Sequence, residues 1–454
     1  MKSLRINKFV FSFMFIFLFA NLFSTSSEVR ADFNSGADTA ILVDASTGNI
    51  LYEKNADFTA GVASMSKMMT EYLVLEAVNN GSINWDSVVP ISDLVNQVSH
   101  SPGLSNVFLD PDEDYTVRDL YEAMAIESGN AATMALAEYV GGTYTDFVRM
   151  MNDKAEELDL QDYKFVNSTG LNNSYLFGQH AEGTAENDEN QMSARATAKL
   201  AYHLINDYPE VLETASIPMK YFQGEPATGV TPQECLNDWT CMKNWNDMLP
   251  GLGHFYEGID GLKTGYTDFA KYCFTGTAER NDLRLISVVM GTESETERFN
   301  ETRRLMDYGF NTFSSQEVIA ANAVIEDHQT VPVAKGKEKE VAISTNEALT
   351  AVVKEGEEDY YRAELQLHPE LLNEDGELIA PLERGEEVGT VNIVYEGEGD
   401  YDSLIASETV HPQVAVVTDT EVEKAGWFRM MMRGIGGFFS GIWSSAADTV
   451  KGWF

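Results

Sequence analysis

Apolar positions along the chain repeat in two ways, and each repeat predicts a different element. Steps of three and four residues, which are typical of helices, occur at Ser64–Val78, Leu120–Ile126, Ala131–Val140, Phe147–Leu158, Ser193–Asn206 and Glu297–Tyr308. Alternating runs, which are typical of strands, occur at Thr39–Asp44, Asn49–Lys54, Gly261–Tyr266, Tyr272–Ala278 and Leu283–Met290. Because strands lie at both ends of a helical middle, the pattern predicts one sheet that is assembled from both ends of this unit and packed against helices.

Short alternating runs continue after this first unit, which we expect to close near Phe313. They are separated by clusters of Gly, Glu and Asp and lie at Glu340–Ser344, Leu349–Lys354, Ala363–Leu367 and Val388–Tyr395. Runs of this kind predict a small all-β module.

The N-terminus has the pattern of an export signal. Basic residues at Lys2, Arg5 and Lys8 precede the apolar run Phe9–Phe23, and Val29-Arg30-Ala31 ends in a small residue suited to cleavage. The alternative is an uncleaved membrane anchor, although the run is short for a membrane span. We therefore expect a mature protein that begins near Asp32, outside the cytoplasm.

The C-terminus predicts an amphipathic helix. Apolar residues from Trp427 to Trp453 recur at three- and four-residue steps, whereas Arg429, Arg433 and Lys451 fall on the other side. Arginines and glycines make this a poor membrane span, so we expect it to lie in the bilayer interface with its basic residues at anionic headgroups. The alternative is a helix packed on the protein's own core.

Composition narrows the function classes further. With 72 acidic and 31 basic residues, the net charge of -41 makes nucleic acid an improbable partner. The chain has three cysteines, of which Cys235 and Cys241 are close enough in sequence to bridge and Cys273 lies in a strand-like run. No Cys/His spacing indicates zinc, so we expect no metal and no cofactor.

The first candidate for chemistry is Ser64-Met65-Ser66-Lys67, at the start of the first predicted helix. Residues three apart share a helix face, so Lys67 can reach the Ser64 hydroxyl. A serine hydroxyl is a weak nucleophile until a base takes its proton, and lysine is a base only when neutral. Burial and a second cation would both lower the pKa of Lys67. Taken alone, however, the pair is more often an N-cap and a solvated lysine.

Two later fragments give the pair its meaning. Ser128-Gly129-Asn130 falls between two predicted helices, where Ser128 can relay a proton to a leaving amine and Asn130 can hold a substrate amide. Lys263-Thr264-Gly265 falls on a predicted edge strand, where Lys263 and Thr264 suit a terminal carboxylate and Gly265 allows close approach of a ligand backbone. The backbone N–H groups of Ser64 and Tyr266 are the expected donors to a developing oxyanion.

With these motifs in order, the chain resembles the low-molecular-mass penicillin-binding proteins that act as D-alanyl-D-alanine carboxypeptidases. The resemblance is strong over about Asp38–Phe313 and covers the following module and helix in arrangement only. It also includes Phe165–Leu171, Ser193–Arg195, His203–Pro209 and Gly258–Gly265. It implies that Ser64, Lys67 and Ser128 are catalytic, and that substrate is bound by Asn130, Lys263, Thr264, Gly265, Tyr266 and Arg298.

The sequence departs from the family pattern at a few places. Val62 stands where proline is frequent, Ala196 where aspartate usually follows the arginine, and Lys271 where glycine is common. None of these changes removes a catalytic group. The segment Gln223–His254 is longer than usual and contains two of the cysteines, so the rim of the cleft and the substrate preference are open.

The resemblance implies an α+β fold. We expect a signal peptide (1–31), a β-lactamase/transpeptidase-like catalytic domain with helices on both faces of an antiparallel sheet (32–317), a small β-rich domain (318–421) and an amphipathic anchoring helix (422–454). The implied enzyme removes the terminal D-alanine of peptidoglycan stem peptides and is inhibited by β-lactams, on the outer face of the cytoplasmic membrane. The rivals are a β-lactamase of the same superfamily, for which Glu186 and Asn190 are a weak signal, and a catalytically silent wall-binding protein.

Overall fold

The computed structural model describes residues 33–325, 328–397, 402–405, 413–427 and 429. The predicted export signal and nearly all of the predicted C-terminal helix lie outside these residues. Within them, no helix combines the length and the apolar character needed to cross a bilayer. By its contacts the chain divides into residues 1–34 and 35–454, and all elements below belong to the second unit.

Ten strands and nine helices precede residue 313 in the described part of the chain. The strands are β1 (Thr39–Asp44), β2 (Ile50–Lys54), β3 (Ala60–Gly61), β4 (Tyr163–Lys164), β5 (Gln191–Met192), β6 (Met219–Tyr221), β7 (Cys241–Lys243), β8 (Ile259–Thr267), β9 (Lys271–Arg280) and β10 (Leu283–Thr292). The helices are α1 (Lys67–Asn79), α2 (Asp93–Ser99), α3 (Val117–Ala125), α4 (Asn130–Gly141), α5 (Tyr144–Glu157), α6 (Ala194–Asp207), α7 (Val211–Ala215), α8 (Pro232–Leu236) and α9 (Glu295–Thr312).

The central sheet has the order β2-β1-β10-β9-β8, and every neighbouring pair is antiparallel. The N-terminal strand β1 pairs with β10, with Thr39 opposite Met290. This confirms the prediction of one sheet assembled from both ends of the unit. It also places β8 at the edge, as the sequence indicated.

Both faces of this sheet are covered, which explains why all six residues of β1 are buried. Successive side chains of a strand point to opposite faces. Ile41 and Val43 belong to the large core that the helices α1 to α6 share. On the opposite face of the sheet, the ring of Phe274 in β9 packs edge-to-face on Phe299 of α9, with centroids 5.5 Å apart. The predicted α+β fold is therefore confirmed.

A capping box fixes the start of α3. The Thr116 hydroxyl accepts a hydrogen bond from the Asp119 N–H at 3.1 Å, and the Asp119 carboxylate accepts one from the Thr116 N–H at 2.9 Å. This reciprocal arrangement satisfies two donors that a helix end leaves open. The box therefore fixes where α3, the helix before the Ser128 loop, begins.

The β-rich part begins directly after α9. Its strands are β11 (Phe313–Ile319), β12 (Thr330–Ala334), β13 (Glu340–Thr345), β14 (Leu349–Lys354), β15 (Tyr361–Leu367), β16 (Leu378–Ile379), β17 (Glu387–Tyr395) and β18 (Gln413–Thr418). Six of them form a sheet in the order β15-β17-β18-β13-β12-β16, and β11 pairs with β14. An apolar core of their own holds these strands together, as expected for an all-β module.

One described segment of this module returns to the catalytic part. The Leu404 N–H donates to the Gly48 carbonyl at 2.9 Å, and the Ile50 N–H donates to the Asp402 carbonyl at 2.8 Å. Gly48 lies in the turn between β1 and β2, and Ile50 is the first residue of β2. The module is thereby attached to the sheet end that is opposite β8 in strand order.

The long segment between α7 and β8 contains regular structure. It forms the ribbon β6–β7 and the short helix α8, and a disulfide joins Cys235 to Cys241 with their Cα atoms 5.2 Å apart. The sequence left this bridge open. Cys273 is buried and free in β9.

Candidate active site

The chain enters α1 through a 3₁₀ turn, Ala63–Ser66, and this turn sets the first functional pair. Side chains three residues apart eclipse one another in 3₁₀ geometry. The Lys67 Nζ atom therefore lies 2.9 Å from the Ser64 Oγ atom. Ser64 is partly exposed, whereas Lys67 is 0% exposed. A reactive hydroxyl thus faces solvent with its base behind it.

Lys67 has three partners, and all three are compatible with a neutral amine. Besides Ser64, its Nζ atom lies 2.9 Å from the Asn130 Oδ1 atom and 2.9 Å from the Thr169 carbonyl oxygen. Those two oxygens can only accept, so they use the two N–H groups of a neutral amine. The remaining lone pair then faces the Ser64 hydroxyl, which can donate.

Electrostatics favours the same state. Burial lowers the pKa of Lys67 well below its usual value, and the nearby charge of Lys263 lowers it further. The Glu71 carboxylate, one helical turn along α1, acts in the opposite direction and raises the pKa of Lys67. Burial also raises the pKa of Glu71 itself.

The Thr169 carbonyl is held in place by two buried asparagines. Asn167 Oδ1 accepts from the N–H groups of Thr169 and Gly170, at 3.1 and 2.7 Å. Asn190 Oδ1 accepts from the N–H groups of Val166 and Asn167, at 2.7 and 3.1 Å. Asn190 thus stabilises the loop that holds the base, whereas Glu186 is exposed. The pair is not a deacylating group facing Ser64.

Two glycines allow the backbone of the nucleophile turn to sit where it does. A Cβ on Gly170 would lie 1.8 Å from the Ala63 carbonyl oxygen, and one on Gly265 would lie 2.6 Å from the Val62 carbonyl oxygen. Ala63 itself has a φ of +46°, a left-handed conformation that costs an L-residue about 1–2 kcal/mol. Such strain persists at functional sites because the surrounding packing determines it.

Ser128 lies on the loop between α3 and α4, as predicted. Its φ is +58°, and its Oγ atom accepts a hydrogen bond from the Lys263 Nζ atom at 2.9 Å. The next motif residue, Asn130, directs its Oδ1 atom to Lys67 and donates from Nδ2 to the Ser105 carbonyl at 3.0 Å. Ser64 and Ser128 therefore face the same space, and each is hydrogen-bonded to a buried lysine.

The edge strand β8 provides one wall of that space. Lys263 is buried, and burial lowers its pKa as well. Thr264, Gly265 and Tyr266 line the cleft, and the Tyr266 side chain is half exposed. Because β8 has a strand partner on one side only, its cleft side is available to an extended ligand.

Arg298 approaches the same wall from α9. Its Nη1 atom donates to the Gly265 carbonyl at 3.4 Å, and its Nη2 atom lies 3.1 Å from a Glu295 carboxylate oxygen. The Nε atom is buried without a hydrogen-bond partner among the described residues. A guanidinium held in this way retains donor capacity for an anion in the cleft.

Glu127 was missed by sequence reasoning. It directly precedes Ser128, and burial raises the pKa of its carboxyl to about 7. Its carboxylate accepts from the Lys243 N–H at 3.1 Å, and its carbonyl accepts from the Trp245 indole N–H at 3.0 Å. Through these bonds, β7 and the residues after it support the Ser128 loop.

All nine predicted site residues meet around one cleft of about 620 Å³. Lys67 and Lys263 lie behind its surface, bonded to Ser64 and Ser128. The other seven line it, together with residues that the sequence did not single out: Gly103, Leu104, Ser105, Leu171, Asn172, Ser174, Tyr175, Asn187, Glu189, Trp245, Thr267, Asp268, Tyr272 and Glu295. The arrangement can support acyl transfer by an activated serine.

Known proteins share this architecture. A family profile described as D-alanyl-D-alanine carboxypeptidase matches residues 25–294, and one described as penicillin-binding protein 5, C-terminal domain, matches residues 313–424. D-alanyl-D-alanine carboxypeptidase DacF of Bacillus subtilis is 31% identical over 403 residues, which are 88% of this chain and 89% of that protein.

Solved structures of similar proteins share the fold of this chain. A peptidoglycan synthesis regulatory factor (PBP3) from Streptococcus pneumoniae matches with a TM-score of 0.72 and 33% identity, over 86% of this chain and 100% of that one. Penicillin-binding protein D2 from Listeria monocytogenes, in its ampicillin-bound form, matches with a TM-score of 0.50 and 32% identity, over 62% of this chain and 100% of that one.

Proposed function

This chain belongs to the D-alanyl-D-alanine carboxypeptidase family and is a serine carboxypeptidase, and from that membership we propose that Ser64 becomes acylated by the peptidoglycan stem peptide. The single observation that carries the assignment is the 2.9 Å contact between the Ser64 Oγ atom and a fully buried lysine whose other two partners are acceptors. A neutral amine in that position can act as a base and remove the proton of the Ser64 hydroxyl.

In the acylation step, Lys67 takes the proton of Ser64 while the Oγ atom bonds to the carbonyl carbon of the penultimate D-alanine. The backbone N–H groups of Ser64 and Tyr266 stabilise the oxyanion. Collapse of the tetrahedral intermediate breaks the carbon–nitrogen bond, and the leaving amine of the terminal D-alanine receives a proton through Ser128. The Lys263 ammonium, 2.9 Å from the Ser128 Oγ atom, orients this relay.

Substrate orientation follows from the cleft walls. Thr264 and Arg298 bind the terminal carboxylate, and Lys263 adds a positive charge behind Ser128. Of the two donors on the Asn130 Nδ2 atom, the Ser105 carbonyl takes one, which leaves one for the acyl-side amide of the peptide. Water then hydrolyses the ester and releases the shortened peptide.

The same groups would accept a β-lactam. A β-lactam offers a strained amide and a carboxylate at similar positions, and the Listeria relative is described in an ampicillin-bound form. In our proposal, β-lactams acylate Ser64 and occupy the Thr264 and Arg298 positions with their carboxylate. Slow hydrolysis of that ester would make them inhibitors, whereas fast hydrolysis would make the protein a β-lactamase.

We also propose that the enzyme works at the outer face of the cytoplasmic membrane. The support is the sequence pattern of residues 1–31 and 422–454, which lie almost entirely outside the described residues. The β-rich part would separate the cleft from the bilayer.

The test of the assignment is labelling with fluorescent penicillin together with D-alanine release from a pentapeptide. We expect the wild type to be labelled and active. We expect Ser64→Ala to be folded but neither labelled by penicillin nor active on the peptide. Ser174→Ala is the matched control, because Ser174 also lines the cleft and its hydroxyl donates to Asn172 within its own loop. Labelling that survives in folded Ser64→Ala would refute the mechanism.

A further inference from the structure

An exposed aromatic group lies on two loops that the proposed reaction does not use. Trp239 is 76% exposed and Phe108 is 53% exposed, and their ring centroids are 6.3 Å apart. The His100 ring lies 5.2 Å from Phe108. We call these three side chains the rim platform. Tryptophan is highly buried on average, and exposed apolar patches of this kind mark interaction sites.

The loop that presents Trp239 is rigid. The Cys235–Cys241 disulfide closes it, and this bridge uses two of the chain's three cysteines. Inside the loop, Asp238 Oδ1 accepts from the Thr240 N–H at 3.0 Å and from the Thr240 hydroxyl at 2.7 Å. An aromatic side chain on a fixed backbone loses little conformational entropy when it binds.

The rim platform lies close in sequence to residues that line the cleft. Phe108 is three residues from Ser105, which lines the cleft and accepts hydrogen bonds from the Asn130 N–H and Nδ2 groups at 2.9 and 3.0 Å. Three residues span at most about 11 Å. A stem peptide has four residues between the bond that is cut and the sugar, and these extend to at most about 14 Å. Phe108 therefore lies closer to the cleft-lining Ser105 than the length of an extended stem peptide, and the Trp239 ring centroid lies 6.3 Å from that of Phe108. These lengths are of the same order, so the sugar that follows a stem peptide is of the right scale to contact the Phe108 end of the platform.

We propose that the rim platform stacks against a sugar ring of the glycan strand that carries the stem peptide. The face of an aromatic ring is the negative side of its quadrupole, and the C–H groups of a sugar face complement it without needing charge. A neutral partner suits a protein with a net charge of -41, which repels polyanions. This inference rests on the proposed function and adds the glycan as a second recognised part of the substrate.

The experiment compares two substrates that differ only in the sugar: the free pentapeptide, and the same pentapeptide joined to its disaccharide. D-Alanine release gives kcat/KM for the wild type, Trp239→Ala and Trp239→Phe. Phe58→Ala is the matched control, because Phe58 is 65% exposed and does not line the cleft. Truncation of an exposed side chain leaves no cavity, so these variants should fold.

We expect Trp239→Ala to lower kcat/KM for the disaccharide substrate by about 2- to 12-fold, the range for one aromatic stacking contact. Trp239→Phe should recover most of the loss, and the free peptide and Phe58→Ala should be unchanged. An equal loss on both substrates would mean that Trp239 only supports the cleft. No loss on either substrate, the result for a surface that docks a partner protein, would also overturn the proposal. A wild type that cleaves neither substrate would instead refute the proposed function.

Discussion

Replacing Lys67 by arginine separates the role of a base from the role of a positive charge. The Lys67 Nζ atom lies 2.9 Å from the Ser64 hydroxyl and from two oxygens that only accept. A guanidinium stays protonated throughout the working range of pH and has no lone pair to offer. Lys67→Arg therefore places a permanent positive charge at this position and removes the base.

The expected loss can be estimated from the chemistry. Removal of a general base lowers the rate by roughly 10²- to 10⁴-fold, which raises the activation free energy by about 3–5.5 kcal/mol. The assay is the second-order rate constant for acylation by fluorescent penicillin between pH 7 and 9, with D-alanine release as a second readout. Thermal unfolding shows whether each variant is folded.

Lys154→Arg is the matched control for this experiment. Lys154 is also a buried lysine, but its Nζ atom pairs with the carboxylates of Glu76 at 2.8 Å and Glu157 at 2.7 Å, which arginine can replace. It should acylate at the wild-type rate. Because a guanidinium is bulkier than an ammonium and Lys67 is fully enclosed, Lys67→Met tests the loss of the base without added bulk. A general base contributes roughly 10²-fold or more. If either folded Lys67 variant acylates within about tenfold of the wild-type rate, Lys67 is therefore not the base.

Three further predictions concern tuning, binding and attachment. Glu71→Gln should move the acid limb of the kcat/KM profile to lower pH, because the Glu71 carboxylate raises the pKa of Lys67 and acylation needs the neutral amine; an unmoved limb would contradict this. Amidation of the terminal carboxylate of the peptide should harm the wild type more than Arg298→Gln, and equal harm would remove Arg298 from carboxylate binding. Deletion of residues 427–454 should abolish binding to anionic vesicles while small peptides are still cleaved, and salt should weaken the binding of the full-length protein; a full-length protein that ignores anionic vesicles would disprove the anchor.

The motif residues could be predicted because their chemistry depends on short spacings. Ser64 and Lys67 meet through one turn of helix, and Lys263, Thr264 and Gly265 are consecutive residues of one predicted strand. Thr169 could not be assigned a role in this way, because it acts through a carbonyl oxygen that every residue carries. Its run, Phe165–Leu171, was visible only as part of a resemblance.

Buried acids were also beyond the reach of the pattern. Ten of the thirteen residues of α1 are buried, so the helix has no polar face on which Glu71 would be exposed. The periodicity that located the helix gave no sign that this carboxylate lies in the interior. The strands β12 and β18 were missed for other reasons: β12 contains Pro332, which weakens a strand signal, and β18 is an almost continuous apolar run without clear alternation.

The pairing of β1 with β10 also has a consequence for how the enzyme matures. Thr39 and Met290 are partners roughly 250 residues apart, a separation that slows folding because the chain must close a very long loop first. At a synthesis rate of about 5–20 residues per second, β1 waits on the order of ten to fifty seconds for its partner. A nascent chain that ends before β8 already contains Ser64, Lys67, Ser128 and Asn130 but has no sheet to hold them. We therefore expect reactivity toward penicillin to arise late, and a covalent penicillin label to mark the molecules in which this sheet has formed.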